Sequence, residues 1–312
     1  MIDIKLLEQL CLCNGISGDE VNVRNLIINE IKDCADDIKT DNLGNLIVFK
    51  KGKKSAKSKL MVSAHMDEVG LMVTDITSDG YLKFDEVGGI DRRVLPGKRV
   101  CVGRNGLNGV IGVKPIHLTN SDEKTAVPKM NDMYIDIGAE SREDALKYVN
   151  YGDGINFEGG FKINGKTVVT KALDDRFGCY VLINLIKSEP EYDMYFTFVV
   201  QEEVGLRGAR PAAFTVNPDF ALVIESTTAA DVAEVDASHQ VCNLSKGATV
   251  TVMDRATVYD KEMISAAFEL AEKNNIAVQY KRAVAGGNDS GAIHQSRGGV
   301  RTLAVSLPSR YI

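Results

Sequence analysis

The residues best suited to chemistry are a histidine and several carboxylates, which lie in four short segments of the chain. These segments contain His65 with Asp67, the pair Asp174-Asp175, the pair Glu202-Glu203, and Glu225. A neutral imidazole binds a divalent metal ion well, and a nearby carboxylate can fix its tautomer. A His-x-Asp sequence alone is more often a hydrogen-bonded structural pair, so the metal interpretation depends on the other three segments.

Adjacent carboxylates repel each other, and the repulsion is costly at a buried position unless a cation is present. Glu202-Glu203 follows the apolar run 195–200 and precedes Val204-Gly205, so we expect this pair to be half-buried. Glu225 follows the apolar run 221–224 in the same way. Apolar strands of an α/β sheet place their ligands at the strands' carboxyl ends. These positions therefore predict a metal site at one edge of a sheet.

The elements that must position these residues follow from the apolar pattern. Residues 59–64, 194–200 and 220–224 are short apolar runs typical of strands buried on both faces, and residues 178–186 favour a helix. The segment Ser17-Gly-Asp-Glu20 matches a capping box and predicts that an amphipathic helix begins there. The fold class predicted is α/β, with a layered, mostly parallel sheet.

Residues 70–166 have a different sequence pattern, in which apolar and polar residues alternate over short stretches and glycine turns occur at Ser78-Asp-Gly80 and Arg104-Asn-Gly106. This pattern favours a small β-rich domain. Because candidate site residues lie on both sides of it, we interpret it as an insertion. The main domain is therefore discontinuous and consists of residues 1–69 and 167–312.

Composition limits the classes of function. The 312 residues carry a formal net charge of −6, which disfavours a nucleic-acid partner. No apolar run approaches the roughly 20 residues of a membrane-spanning helix, so no membrane partner is expected. The N-terminal residues lack the features of a signal peptide, and the six cysteines include no CxxC pair. We expect a cytoplasmic protein.

Together, four segments resemble the M42 family of metallo-aminopeptidases, which includes the glutamyl aminopeptidases and the self-compartmentalising TET peptidases. The segments are AHMDEVG at 64–70, KALDDRFG at 171–178, QEEVG at 201–205 and GGNDSG at 286–291. They occur in the family's order over essentially the whole chain.

The resemblance implies a site for two divalent metal ions, zinc or cobalt. It assigns roles to six residues: His65 as a ligand of one metal, Asp174 as a bridge between both, Glu203 and Glu225 as further ligands, Glu202 as the general base, and Asp67 as the residue that orients His65.

The family's last ligand is a histidine directly after Arg-Tyr-x, whereas this sequence ends with Arg310-Tyr311-Ile312. The second metal lacks that ligand in this sequence, and we expect the intact chain to continue past Ile312 rather than to be an incomplete-site variant.

The implied function is release of N-terminal residues from peptide substrates through a metal-activated water. The insertion would be the family's dimerisation domain, in a homo-oligomer that is a dimer or a dodecamer built from dimers. Two alternatives remain. One is a glycosidase with a pair of catalytic carboxylates, and the other is a catalytically impaired assembly protein on the same fold.

Overall fold

The computed structural model describes residues 3–312, which form two compact units. The larger unit contains the chain up to Cys13, Glu20–Asp67 and Ala172–Ile312, and the smaller one contains Asn14–Asp19 and Glu68–Lys171. The chain therefore leaves the larger unit directly after Asp67 and returns to it at Ala172.

Helices and strands are both numbered in chain order. The helices are α1 Ile4–Leu12, α2 Val21–Ile31, α3 Ser121–Thr125, α4 Arg142–Ala145, α5 Leu173–Lys187, α6 Ala209–Val216, α7 Lys261–Lys273 and α8 Ser290–Ile293. The strands are β1 Asp37–Thr40, β2 Leu46–Lys50, β3 Leu60–His65, β4 Gly70–Ile76, β5 Leu82–Val87, β6 Arg99–Val102, β7 Leu107–Gly112, β8 Tyr134–Asp136, β9 Gly154–Phe157, β10 Lys162–Asn164, β11 Thr167–Val169, β12 Met194–Val199, β13 Phe220–Thr228, β14 Ala248–Val250, β15 Val278–Tyr280 and β16 Arg301–Ser309. Short 3-10 turns lie at Arg92–Val94, Ile116–Leu118, Met130–Asp132 and Ala237–His239.

The larger unit is built on an eight-stranded sheet in the order β1-β2-β12-β3-β13-β16-β14-β15. Its four central strands, β12, β3, β13 and β16, are parallel to their neighbours within that group. Helix α5 packs against β3 and β13, and Ala213 of α6 and Ile264 of α7 share a core cluster with Val223 and Ala304. Burial of both sheet faces explains why these strands are nearly all apolar. The predicted fold class is confirmed.

Three predicted boundaries were wrong. Helix α2 begins at Val21, and no side chain caps it, because the Glu20 carboxylate accepts a hydrogen bond from the Gln201 amide instead (3.2 Å). Strand β13 does not end at Ile224, because its pairing with β16 continues to Thr228. Helix α5 begins at Leu173, so the acidic pair lies in its first turn.

The smaller unit is a closed barrel in the order β4-β5-β8-β7-β6-β9. Its interior is filled by alternate side chains of these strands, among them Leu71, Phe84, Ile135 and Ile155. This alternation is the pattern of period two that a small barrel requires. None of the helices in the described part of the chain combines the length and the apolar character needed to cross a membrane.

Candidate metal centre

The candidate ligands all lie in the larger unit, near the carboxyl ends of adjacent strands. His65 is the last residue of β3, and Glu202 and Glu203 lie in the turn that follows β12. Asp174 is in the first turn of α5, and Glu225 is in β13. Because β12, β3 and β13 are adjacent and parallel, their ends meet at one edge of the sheet. The topology therefore brings together residues that are 160 positions apart in sequence, from His65 to Glu225.

One group of possible ligands surrounds the outer nitrogen of His65. Its Nε2 atom lies 3.4 Å from Asp174 Oδ1 and 3.4 Å from Glu225 Oε1. The three ligand atoms lie within 4.8 Å of one another. Asp174 Oδ1 and Glu225 Oε2 are buried, and neither has a hydrogen-bond partner among residues 3–312. Buried carboxylate oxygens without donors are costly, so the donor set suits a borderline divalent cation such as zinc or cobalt.

A second group joins His65 to Glu202 and Glu203, whose ligand atoms also lie within 4.8 Å of one another. Both glutamates are half-buried, as their position after an apolar strand predicted. The structure thus brings every predicted site residue to the same region. The imidazole is common to the two groups.

Asp67 is fully buried and holds both the imidazole and the glutamate turn. Its two carboxylate oxygens accept hydrogen bonds from the amides of Glu202 (3.0 Å) and Glu203 (3.1 Å). His65 Nδ1 lies 3.2 Å from the Asp67 carbonyl oxygen and 3.5 Å from its carboxylate. Contacts on Nδ1 leave Nε2 directed at Asp174 and Glu225. This orientation is the one that a metal ligand needs.

The field at the site is strongly negative. Burial, followed by the charge of Asp174, raises the pKa of Glu225 to about 8 despite the opposing effect of His65. Burial lowers the pKa of His65, but the charge of Glu225 and the contacts with Asp174 and Asp67 outweigh it, and the net pKa lies well above the ordinary value. A site that holds a proton on a buried imidazole in this way also favours a divalent cation in its place.

Two supporting residues received no role from the sequence, although both lie in the KALDDRFG segment. Asp175 accepts hydrogen bonds from the His65 amide (3.3 Å) and the Gly178 amide (2.9 Å), so it ties the end of β3 to α5. Arg176 is fully buried and donates to the carbonyl oxygens of Met66 (2.7 Å), Leu10 (2.7 Å) and Cys13 (2.6 Å). The backbone between His65 and Asp67 is therefore fixed from both sides.

A third missed residue, Asp289, lies in the GGNDSG segment immediately before α8 and is fully buried. Burial raises the pKa of its carboxyl to about 7, and the charges of Asp67 and Glu203 add to this against the opposing effect of His65. The glycines of the segment were a visible signal of a close backbone approach. They gave no indication that the aspartate belongs to the charge cluster.

Known proteins resemble this chain over most of its length. The family described as M42 glutamyl aminopeptidase matches residues 44–312. The lysyl aminopeptidase of Pyrococcus furiosus is 33% identical over 321 residues, covering 100% of this chain and 90% of its own length. Among solved structures, the TET1 peptidase of Pyrococcus horikoshii, which can assemble into a tetrahedron or a large octahedral shell, is 40% identical with a TM-score of 0.86, covering 99% of this chain and 92% of its own.

A Thermotoga maritima protein named an endoglucanase is 38% identical with a TM-score of 0.82, covering 98% of this chain and 88% of its own. A family match over most of the chain, with relatives this similar along about nine-tenths of their length, leaves one conclusion: the chain belongs to the M42 peptidase family.

Proposed function

We propose that this protein is a metal-dependent aminopeptidase that uses two divalent metal ions, zinc or cobalt, to release N-terminal residues from peptides. The observation that carries the proposal is the cluster of possible ligands around His65, in which Asp174 and Glu225 form one group and Glu203 belongs to the other. Buried carboxylate oxygens in this cluster lack a hydrogen-bond donor in the described chain. Family membership supports the aminopeptidase activity. The geometry supports the metal requirement.

Four residues form the proposed ligand set. These are His65, Asp174, Glu203 and Glu225, with Asp174 as the bridge. The imidazole offers a single free nitrogen, Nε2, and can ligate only one of the two ions. Two divalent ions bound by these residues would supply Lewis acidity, which would make a water more acidic and polarise the peptide carbonyl.

Glu202 remains for proton transfer. Burial, and then the charges of Glu225, Asp289 and Glu203, raise the pKa of Glu202 well above its ordinary value, against the opposing effect of His65. A carboxylate with a raised pKa is a stronger base than an exposed one. Glu202 would accept the proton of the attacking water and deliver it to the departing amine. Asp67 would keep Glu202 in position through the hydrogen bond that its carboxylate accepts from the Glu202 amide.

The proposal is tested by removing the metal and adding it back. We expect the apo-protein to be inactive on aminoacyl chromogenic substrates, and zinc or cobalt to restore turnover. The same substrates with an acetylated α-amine are the matched control, because an aminopeptidase requires the free amine. Failure of the metal-loaded protein to hydrolyse any member of a broad panel would instead favour the impaired assembly protein.

The glycosidase alternative has one observation in its favour, namely the name of the Thermotoga maritima relative. Against it, the carboxylates surround a buried histidine, which a carboxylate-pair mechanism does not need. The sequence also contains no tryptophan, a common surface for stacking a sugar ring. Hydrolysis of oligosaccharides that survives exhaustive chelation would establish the glycosidase and refute the peptidase.

We infer that the protein is a homo-oligomer assembled through residues 70–166. The smaller unit exposes large apolar side chains, with 73% of Ile116 and 60% of Leu118 accessible. Contact with a second copy would remove these side chains from water, at about 25 cal/mol per Å² of apolar surface. We expect sedimentation as a dimer or a dodecamer, and a smaller species when Ile116 and Leu118 are changed to Asp. A strict monomer at micromolar concentration contradicts this assignment.

A further inference from the structure

Asp289 carries a polar side chain that the mechanism above does not use. The residue is fully buried, and neither oxygen of its carboxylate has a hydrogen-bond partner in the part of the chain that the structure describes. Leaving a buried acceptor unpaired costs about 1–3 kcal/mol, and more when it is charged. A folded protein that keeps such a group at this position has a use for its charge or for its acceptor atoms.

The backbone around Asp289 is fixed by a buried polar network. The neighbouring Asn288 donates a hydrogen bond to the hydroxyl of Tyr259 (3.2 Å) and accepts one from the Ser290 amide (2.9 Å). The Tyr259 hydroxyl donates to Asp254 (2.6 Å). These links hold the backbone next to Asp289 while its own carboxylate stays unpaired. The unpaired state is therefore not a sign of a loosely packed segment.

The same segment is packed too closely to shift. A side chain carbon added at Gly291 would lie 2.7 Å from the Cβ atom of Ala256. Ala256 is itself held by the hydrogen bond from its amide to Asp254 (2.8 Å). The backbone is thus held on both sides of Asp289.

Asp289 belongs to the charge cluster of the candidate centre without being among its possible ligands. The charges of His65, Asp67 and Glu203 act on it, and its own charge acts on Glu202. Neither group of ligand atoms that lie within 4.8 Å of one another includes it. Helix α8, which begins directly after Asp289, packs against β13, the strand that carries Glu225. Asp289 is itself buried, and buried charges are screened less than charges at the surface.

We propose that Asp289 is a positioning residue of the metal centre, whose negative charge raises the affinity for divalent cations from outside the ligand set. This inference rests on the proposed function, because it requires that the centre binds metal. Residues that support metal ligands without touching the metal typically contribute 10–100-fold in affinity. Asp289 would contribute by charge, since its oxygens have no protein donor to orient among the described residues.

The test compares Asp289→Asn with the wild-type protein, using zinc alone as the probe. The zinc dissociation constant is measured on apo-protein by competition with a chromophoric chelator, above pH 7, where a carboxyl whose pKa is about 7 is ionised. We expect Asp289→Asn to bind zinc about 10–100-fold more weakly. The apo-protein should be no less stable in urea than wild type, because the substitution removes an unpaired buried charge. A merely structural role would instead lower the apo-protein's stability and leave its zinc affinity unchanged.

Two further variants make the result decisive. Asp289→Glu keeps the charge and should bind zinc within a few-fold of wild type, whereas Asp289→Ser, a second charge-free variant, should resemble Asp289→Asn. Asp260→Asn makes the same chemical change at an exposed ion pair with Arg301 and should leave zinc affinity unaltered. Equal zinc affinity in wild type and Asp289→Asn, or equal weakening in the Glu and Asn variants, overturns the proposal. Failure of wild type to bind zinc at all would refute the proposed function instead.

Discussion

Replacing Asp67 with Asn should weaken the glutamate turn and the imidazole orientation together, because the Asp67 carboxylate accepts from the turn and also lies 3.5 Å from His65 Nδ1. The two oxygens accept from the amides of Glu202 and Glu203 at 3.0 and 3.1 Å. An asparagine side chain keeps one acceptor oxygen and turns its NH₂ group towards the other amide, so one hydrogen bond to a charged group is lost. Such a bond contributes about 1.5–3 kcal/mol. We expect the free energy of unfolding of the apo-protein to fall by that amount.

The same substitution should reduce metal affinity. Loss of a carboxylate that orients a metal-binding histidine typically weakens binding 10–100-fold, which corresponds to about 1.4–2.7 kcal/mol. Urea unfolding of the apo-protein measures the first effect, and chelator competition with zinc measures the second. The two effects are separable because only the second requires metal.

Asp193→Asn is the matched control for Asp67→Asn. Asp193 accepts a hydrogen bond from the Gly52 amide through Oδ1 (2.9 Å), which an asparagine oxygen can still accept. We expect Asp193→Asn to change the free energy of unfolding by less than about 1 kcal/mol and to leave zinc affinity unchanged. If Asp67→Asn matches this control in both measurements, the reasoning about Asp67 is wrong.

Three further substitutions test other parts of the structure. Glu202→Gln should lower kcat by roughly 10²–10⁴-fold while zinc affinity stays within a few-fold of wild type; loss of zinc binding would make Glu202 a ligand rather than the base. Gly178→Ala should lower the free energy of unfolding by about 1–3 kcal/mol in urea, because the added carbon would lie 2.3 Å from the Asp175 carboxylate; a neutral result would show that this carboxylate can move. Asp260→Asn should cost under about 1 kcal/mol at pH 7, since asparagine still caps α7. The hydrogen bond from Arg301 lowers the pKa of Asp260 to about 2, so wild type's advantage should shrink as pH falls from about 4 towards 2, and an advantage that persists below pH 2 would contradict the ion-pair explanation.

Local patterns were sufficient to predict the elements that present the ligands. The apolar runs before His65 and Glu202 indicated strands, and strand ends are where an α/β sheet places its ligands. The extent of β13 could not be predicted in the same way. Its residues from Glu225 to Thr228 are extended because β16 pairs with them, and that partner lies some 80 residues further along the chain.

The roles of the supporting residues could not be predicted from the sequence for a related reason. Arg176 donates hydrogen bonds to backbone carbonyl oxygens at three places in the chain. Every residue has such a carbonyl group, so no sequence pattern marks the partners of Arg176. Asp174 and Asp175 are identical in type and adjacent. Only the start of α5 decides that one carboxylate lies beside His65 Nε2 and the other accepts from backbone amides.

The chain enters and leaves the smaller unit close in sequence to two of the candidate site residues. The longer segment of the smaller unit begins at Glu68, directly after Asp67. It ends at Lys171, three residues before Asp174. These two end residues form an ion pair, in which Lys171 Nζ lies 2.9 Å from Glu68 Oε1. Both side chains are largely buried, with 5% of Glu68 and 11% of Lys171 exposed. The pair closes the loop of more than 100 residues at its base. The two ends of this segment are therefore held together where the chain leaves and rejoins the larger unit.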